Sequence, residues 1–536
     1  MGEKEEVAKW DAEVDVVVVG FGGAGACAAL EAAEAGASVL IIDRYHGGGA
    51  TAASGAVIYA GGGTTYQKTA GFDDTPEEMY KYMKQEITDA VSDETLRLYC
   101  EQSPQMISWL EKMGVPFSAS LCPFKTSYPT DKYYIYYSGS ENNGLYKANS
   151  KPAPRGHRAR GKGISGLKLF HALEHTTQKK GVQIRRNTRV DSLVFSDDGL
   201  VIGIEGRTIP PGFMCKYYSF LNKVNSKLNT WWPKGGRKVY AWCKSIEKKN
   251  YRPYRARAKK GVILAAGGFM FNRKMVQEYN PLFRKTLPLG TYGDDGKGIS
   301  LGQSAGGAIS HMDRMSAWRF YTPPEPLIKG VLVDKEGKRI CGEDLYGAKQ
   351  GDYIAQHEGI AYLVFDSKVY KEATKKVWGQ TAFWQKGTML PMLFVTRKKA
   401  KTLKALAGKC RISPKGLEKT MAEYNERAKS GTPDPLGKME KFVKPQETPP
   451  FYALDCCFGS RSGIPTVAMS LGGLVVDEKT SEVINAEGKP IQGLYAAGRN
   501  AVGLCSNTYF ASGSSIGDCV FAGRRAGKHA ASQPSK

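Results

Sequence analysis

Four consecutive valines, Val16-Val17-Val18-Val19, form the first apolar run of the chain. The run is too short for a core helix and unbroken by polar positions, which predicts a strand buried on both faces of a parallel sheet. A glycine turn (Gly20 to Gly25), an alanine-rich helical stretch (Ala26 to Ala35) and a second apolar run (Val39-Leu40-Ile41-Ile42) complete a βαβ pattern. Helical periodicity then extends from about Thr75 to Met113. Its start, Thr75-Pro76-Glu77-Glu78, combines a capping hydroxyl, a proline and first-turn acids. From Phe117 to Gly163 the pattern breaks into Tyr, Pro, Ser and Gly, which predicts a long excursion near a binding site. Helix resumes from Gly166 to about Lys180, with strands at Val182–Arg185, Arg189–Phe195 and Val201–Glu205. Val262-Ile263-Leu264-Ala265 is a further buried strand. Strand-like runs return at Gly472–Asp477 and Gly493–Ala497, and a helix from Ser515 to about Ala530 closes the chain.

At 536 residues the chain exceeds what one hydrophobic core supports. The pattern predicts an α/β fold: a Rossmann-like nucleotide-binding domain assembled from 1–271 and 444–536, with an α+β catalytic or cap domain inserted at 272–443. The eleven cysteines lack framework or CxxC spacing, apart from the adjacent Cys456 and Cys457, so reduced thiols are expected. No His/Cys cluster has metal spacing, and His157 and His311 read as structural. The start, Met1 to Val14, is acidic and polar rather than a signal peptide. No apolar run is long enough to span a bilayer, and the expected compartment is the cytoplasm.

Gly20-Phe21-Gly22-Gly23-Ala24-Gly25 is a GxGxxG between a strand and a helix, with Asp43 closing the next strand. That arrangement lets backbone approach a pyrophosphate at a helix N-terminus while a carboxylate accepts from ribose hydroxyls. Gly47 to Gly55 (GGGATAASG) follows directly, and Gly61-Gly62-Gly63 soon after. A loop able to run along a flavin favours FAD over a nicotinamide nucleotide. Ala265-Ala266-Gly267-Gly268 and Gly493-Leu494-Tyr495-Ala496-Ala497-Gly498 add two further glycine turns.

Val16 to Gly25, Gly47 to Gly55, Ala265 to Phe269 and Gly493 to Gly503 together resemble the fumarate reductase/succinate dehydrogenase flavoproteins. The resemblance implies FAD contacts at Gly20, Gly22, Gly25, Asp43, Arg44, Gly49, Ala50, Thr51, Ser54, Gly55, Ala266, Gly267, Gly498, Arg499, Ser515 and Ile516. Members in membrane complexes carry a flavin-bonding histidine at about Ala50, so here the FAD is expected to be non-covalent. Arg499 stands where many flavoproteins have Glu or Asp, a departure that bears on the ribityl contact. Dicarboxylate reductases of the group clamp carboxylates with arginines, whereas this chain reads Ser506-Asn507-Thr508-Tyr509-Phe510-Ala511-Ser512-Gly513. That stretch resembles the 3-ketosteroid dehydrogenases, as do Gly330 to Tyr346 and Tyr136 to Gly139. Gly61-Gly62-Gly63-Thr64 is similar to the Δ4-(5α) branch, and the Tyr-Pro-Gly of the Δ1 branch is absent at Tyr509-Phe510-Ala511.

The resemblance implies desaturation beside a ketone: Tyr509 as base at C4, Ser512 assisting it, Tyr346 relaying the proton and the Gly513 N–H donating to the enolate oxygen. Tyr321 is an alternative relay. The Δ1 reaction would need a further tyrosine from Tyr128–Tyr137. A flavin reductase of activated alkene acids is a third reading, weakened by the missing arginine. The expected partners are a 3-ketosteroid and an electron acceptor that the sequence does not name.

The formal charge of +24 concentrates unusually in one stretch: 208–260 holds fourteen Lys or Arg against the single acid Glu247. Tyr217, Phe220, Leu221, Val224, Leu228 and Trp231 recur at helical spacing. Lys216, Asn222, Lys223, Ser226 and Lys227 fall opposite, and Val239, Trp242 and Ile246 repeat the pattern. The segment reads as an insertion that docks on an anionic membrane surface, against an ordinary contact hairpin. Nucleic acid is disfavoured because the aromatics share an apolar face.

Overall fold

The computed structural model describes residues 9–231, 233–319, 321–460, 464 and 466–535. Most of the acidic start (residues 1–8) and the side chains of Ser226, Lys227 and Trp231 lie outside the described residues. The predicted βαβ unit forms as Ala12–Val19, Gly23–Glu34 and Val39–Ile42. Its strands sit mid-sheet in the order Glu482–Ile484, Pro490–Ala496, Arg252–Leu264, Ala12–Val19, Val39–Ile42, Gln183–Arg185. Parallel registers such as Val17 with Val262 and Leu494 with Val262 bring the two strands that precede the later glycine turns beside the first. Val16, Val17 and Val18 are fully buried, as an unbroken apolar strand requires.

Helices Gly23–Glu34 and Ser514–Ser532 pack against each other through small residues. A Cβ on Gly527 would stand 2.1 Å from the Ala28 carbonyl oxygen, and one on Gly523 would stand 2.5 Å from that of Ala24. Only glycine allows that approach, which sets the middle of the last helix against the helix that follows the first glycine turn, while its start at Gly513 meets Val57 and Tyr59.

The second unit holds the four-stranded sheet Val331–Val333, Tyr362–Phe365, Phe451–Asp455, Lys398–Ala400. It therefore reaches Asp455, past the expected boundary at 443. A three-stranded sheet, Leu287–Pro288, Val467–Ser470, Met315–Trp318, joins it to the first unit and carries the aromatic wall described below. The helical stretch from Thr75 divides into Pro76–Ile87 and Asp93–Lys112, each capped by a side-chain oxygen, from Thr75 and Ser92.

The basic insertion is shorter than expected. Strand Arg252–Leu264 begins eight residues before Lys260 and pairs antiparallel with Val201–Thr208, so Arg252, Arg255, Arg257, Lys259 and Lys260 are sheet residues. What remains is a pair of helices, Phe213–Trp231 and Pro233–Asn250. Their buried face overlaps the expected stripe at Leu221 and Ile246 but is rotated from it. Tyr218, Leu221, Asn222, Asn225, Cys243 and Ile246 are buried, while Phe220 and Trp242 are 60% and 53% exposed. The helices use their apolar face on the body of the protein, against Ile209 and Tyr45. Among the described residues no helix is long and apolar enough to cross a membrane, and all eleven cysteines are unpaired.

Candidate functional site

Three glycine turns converge. Gly20 adopts a positive φ of 108°, and a Cβ there would lie 2.4 Å from the Ala265 carbonyl oxygen, so the first turn rests directly on the second. A Cβ on Gly25 would be 2.0 Å from the Gly20 oxygen. Gly22 and Gly49, by contrast, face a cradle: the nearest atoms to an added Cβ are 3.9 and 3.7 Å away. That is the open, backbone-lined concavity a pyrophosphate fits.

Asp43 sits where the sequence places it. Its carboxylate accepts from Phe21 N and Tyr45 N, both at 2.8 Å, and from Gly47 N at 3.3 Å, which joins the first turn to the flavin loop. Thr51 takes part in the same loop, its Oγ1 accepting from Gly23 N at 3.0 Å. Ser54 Oγ donates to the Thr51 carbonyl oxygen at 2.8 Å. Ala50 and Thr51 lie in the short helix Gly49–Ala53, where an alanine offers no side chain for a covalent flavin bond.

Two expected contact residues are otherwise occupied. Arg44 donates from Nε (3.2 Å) and Nη2 (3.0 Å) to the two oxygens of Glu247, and from Nη1 (3.0 Å) to Asp295. Arg499 pairs with Asp294 at 2.5 Å, and Asp294 also accepts from Gly268 N and Thr291 N. Arg499 thus fastens the third glycine turn, at Gly498, to the second, at Ala266-Gly267-Gly268. The Arg44 ion pair lay beyond sequence reasoning, because Glu247 is 203 positions away and inside an apparently independent insertion.

At the other end of the cradle, Gly513 in a left-handed conformation (φ 97°) starts helix Ser514–Ser532, whose Ser515 and Ile516 lie in the first turn. Tyr509 stands just before it. The Trp318 ring stacks on Tyr509 with centroids 5.4 Å apart and planes at 11°, and Tyr346 closes the group at 6.0 Å. Met469, Leu471 and Ala348 complete an apolar cluster. Phe510 turns away to meet Tyr59 edge-on at 5.2 Å, so of the adjacent aromatics Tyr509 alone joins this cluster.

The Gly513 N–H donates to Tyr509 Oη at 3.4 Å rather than facing an open oxyanion position. Burial raises the Tyr509 pKa, and the Gly513 N–H and the Arg499 charge oppose the rise. Ser512 serves different tyrosines from the one expected. Burial pushes Tyr346 and Tyr136 well above the ordinary tyrosine range, and a hydrogen bond with the Ser512 hydroxyl works against both shifts. Its backbone N–H donates to Ser138 O at 2.9 Å, which fixes it against the Tyr136 strand. Tyr136 is therefore a member of the cluster. Tyr321 and Tyr346 both border a cavity of about 10 Å³ with Lys125, Arg319 and Glu343, room for about one water. Tyr321 donates weakly to Glu343 O at 3.5 Å. His157 hydrogen-bonds Thr64 Oγ1 at 2.8 Å within the core, with its pKa lowered to about 4 by burial.

Comparison with known proteins fits this geometry. A family model described as an FAD binding domain matches residues 15–516. The chain belongs to that family of flavoproteins. It is 36% identical over 515 residues to a 3-oxo-5-alpha-steroid 4-dehydrogenase of Comamonas testosteroni, covering 93% of this chain and 94% of that one. The crystal structure of 3-ketosteroid-delta4-(5alpha)-dehydrogenase from Rhodococcus jostii, in complex with 4-androstene-3,17-dione, superposes with a TM-score of 0.82 at 34% identity. It covers 98% of this chain and 99% of that one. A 3-oxosteroid 1-dehydrogenase of Mycobacterium tuberculosis is 26% identical, over 98% of this chain and 99% of its own length. This flavoprotein is an FAD-dependent oxidoreductase. Its cradle, the Asp43 position and the Ser515–Ile516 turn at the start of the last helix suit the cofactor.

Proposed function

We propose that this flavoprotein is a 3-ketosteroid dehydrogenase that introduces the C4–C5 double bond into 3-oxo-5α-steroids. One observation carries the reading: a partly buried phenol, Tyr509, stacked on Trp318 in an apolar cluster at the start of the last helix. Dicarboxylate reductases of the resemblance group place an arginine there. A neutral, flat, apolar ketone suits such a cluster, and a dicarboxylate does not. The 4-dehydrogenase likeness over nearly the whole chain supports the same substrate class.

When bound, FAD supplies the two-electron acceptor that takes the C5 hydrogen with its electron pair. Tyr509, as phenolate, removes the C4 proton; the C4–H electrons become the new π bond as the C5–H pair departs. The N–H of Gly513 and the charge of Arg499 favour the phenolate against its burial. Tyr346, 6.0 Å from Tyr509 and bordering the small polar cavity, passes the proton outward.

Tyr136 beside Ser512 favours a second reading, Δ1 desaturation, because it supplies the further tyrosine that reaction needs. Anaerobic mixing separates the two. Bleaching of the flavin by a 5α-3-ketosteroid alone supports Δ4 chemistry, whereas bleaching by a 4-ene-3-ketosteroid moves the assignment to Δ1. Reoxidation of the reduced enzyme by fumarate, with no bleaching by either steroid, overturns both. We read the enzyme as part of steroid breakdown, handing its electrons to an external acceptor.

Peripheral association with an anionic membrane through the insertion belongs to the same proposal. Phe213 is 79% exposed and stacks on Tyr217 at 6.2 Å, and Trp242 meets Tyr217 edge-on at 5.7 Å. Among their neighbours in sequence Lys216, Lys238 and Lys244 are exposed. This outer aromatic rim, not the buried stripe, would enter the headgroup layer. Co-sedimentation with anionic vesicles that is unchanged when Phe213 and Trp242 are replaced by serine refutes it.

A further inference from the structure

The insertion carries one acid, and that acid is among the most buried residues in it: the Glu247 side chain is 5% exposed and holds both Nε and Nη2 of Arg44. A bidentate, desolvated pair of this kind fixes both elements in place. Arg44 follows Asp43, the carboxylate that ends the second strand, where dinucleotide folds seat the ribose of the adenosine half. Tyr45 continues the contact, packing with Ile209, Tyr218, Cys243 and Ile246. Tyr218 also donates to Glu247. Nearer the start of the second helix, Tyr240 stacks face to face on Tyr292, centroids 4.0 Å apart and planes at 9°. Tyr292 belongs to the loop that supplies Asp294 to Arg499 and Asp295 to Arg44. The helix pair is therefore tied at two points, one ionic and one aromatic, to the loop that follows Asp43 and to the loop that holds Arg499.

We propose that the insertion is a clamp that retains FAD by holding the Asp43–Tyr45 loop and the Thr291–Asp295 loop closed over the adenosine half. Glu247 and Tyr240 act as positioning residues: they touch the loops, and the loops touch the cofactor. Such a device slows cofactor loss without a covalent bond to the flavin.

The test uses the FAD-loaded protein, with Glu247→Gln and Tyr240→Ala made separately. The first keeps side-chain size and the hydrogen bond with Tyr218 but removes the charge; the second removes only the stacked ring. FAD release after dilution is followed by the rise in free-flavin fluorescence, and unfolding temperatures are measured with and without FAD. The expected result is release about tenfold faster in each variant, equivalent to about 1.4 kcal/mol, with a smaller FAD-dependent rise in unfolding temperature. Wild-type release rates in both variants overturn the proposal. So does an equal fall in unfolding temperature for the apo and loaded forms, which would mark the insertion as a structural prop.

Discussion

Asp518 offers a measurable consequence of burial. It lies on the last helix, 9% exposed, beside a cavity of about 210 Å³ that it shares with Arg525 and Glu478. Burial raises its carboxyl from an ordinary 3.8 to about 6, with the Arg525 charge opposing the rise. The folded protein therefore binds this proton more tightly than the unfolded chain does. Stability from this group is complete below the unfolded pKa and is lost as pH rises through about 6. The difference corresponds to about 3 kcal/mol at 1.36 kcal/mol for each pH unit, and hydration of the cavity lowers it to about 1 to 3 kcal/mol. Asp518→Asn removes the titration and nearly preserves the shape. In urea unfolding followed by flavin fluorescence and circular dichroism, the variant gains on the wild type by about 1 to 3 kcal/mol between about pH 4 and about pH 8. A stability difference that is the same at both ends of that range, or that favours the wild type at the alkaline end, refutes the reasoning.

Other outcomes follow from the tyrosine cluster and the core. Tyr509→Phe keeps the ring stack on Trp318 and removes the acceptor of the C4 proton; turnover of a 5α-3-ketosteroid falls by about 10² to 10⁴ while FAD stays bound, measured by anaerobic flavin reduction. Ser512→Ala removes the hydrogen bond that opposes the rise in Tyr346 and Tyr136, so the rising limb of the pH–rate profile moves to more alkaline pH. An unmoved limb separates Ser512 from the relay. Asp74→Asn breaks the fully buried pair with Arg155, in which the side chains are 1% and 0% exposed, and lowers unfolding stability by about 3 to 5 kcal/mol.

The nucleotide-binding half was legible in the sequence because its determinants are local. An unbroken valine run must be buried on both faces, a glycine must stand where a helix meets a turn within 2.0 Å, and a carboxylate must end the next strand. Tyr509 came instead from the resemblance of Ser506 to Gly513 to the 3-ketosteroid dehydrogenases, and the fold stacks its ring on Trp318 while turning Phe510 toward Tyr59.

Other features required the fold. Periodicity along one helix cannot say which of two adjacent faces meets the body of the protein, since Tyr217 and Tyr218 differ by a rotation that only the docking partner selects. Tyr218 is buried, and the expected stripe carries Phe220 at 60% exposure. Ser512 is three residues from Tyr509 in sequence, yet its hydroxyl works on Tyr346 and Tyr136, which a helix start and a strand from distant parts of the chain deliver. Arg44 and Glu247, 203 positions apart, meet because two antiparallel strands return the insertion to the second strand of the sheet. Short-range sterics wrote the turns and the strands. Desolvation, which depends on every surface that arrives at a site, chose the charge pairs and the tyrosines that cluster beside the last helix.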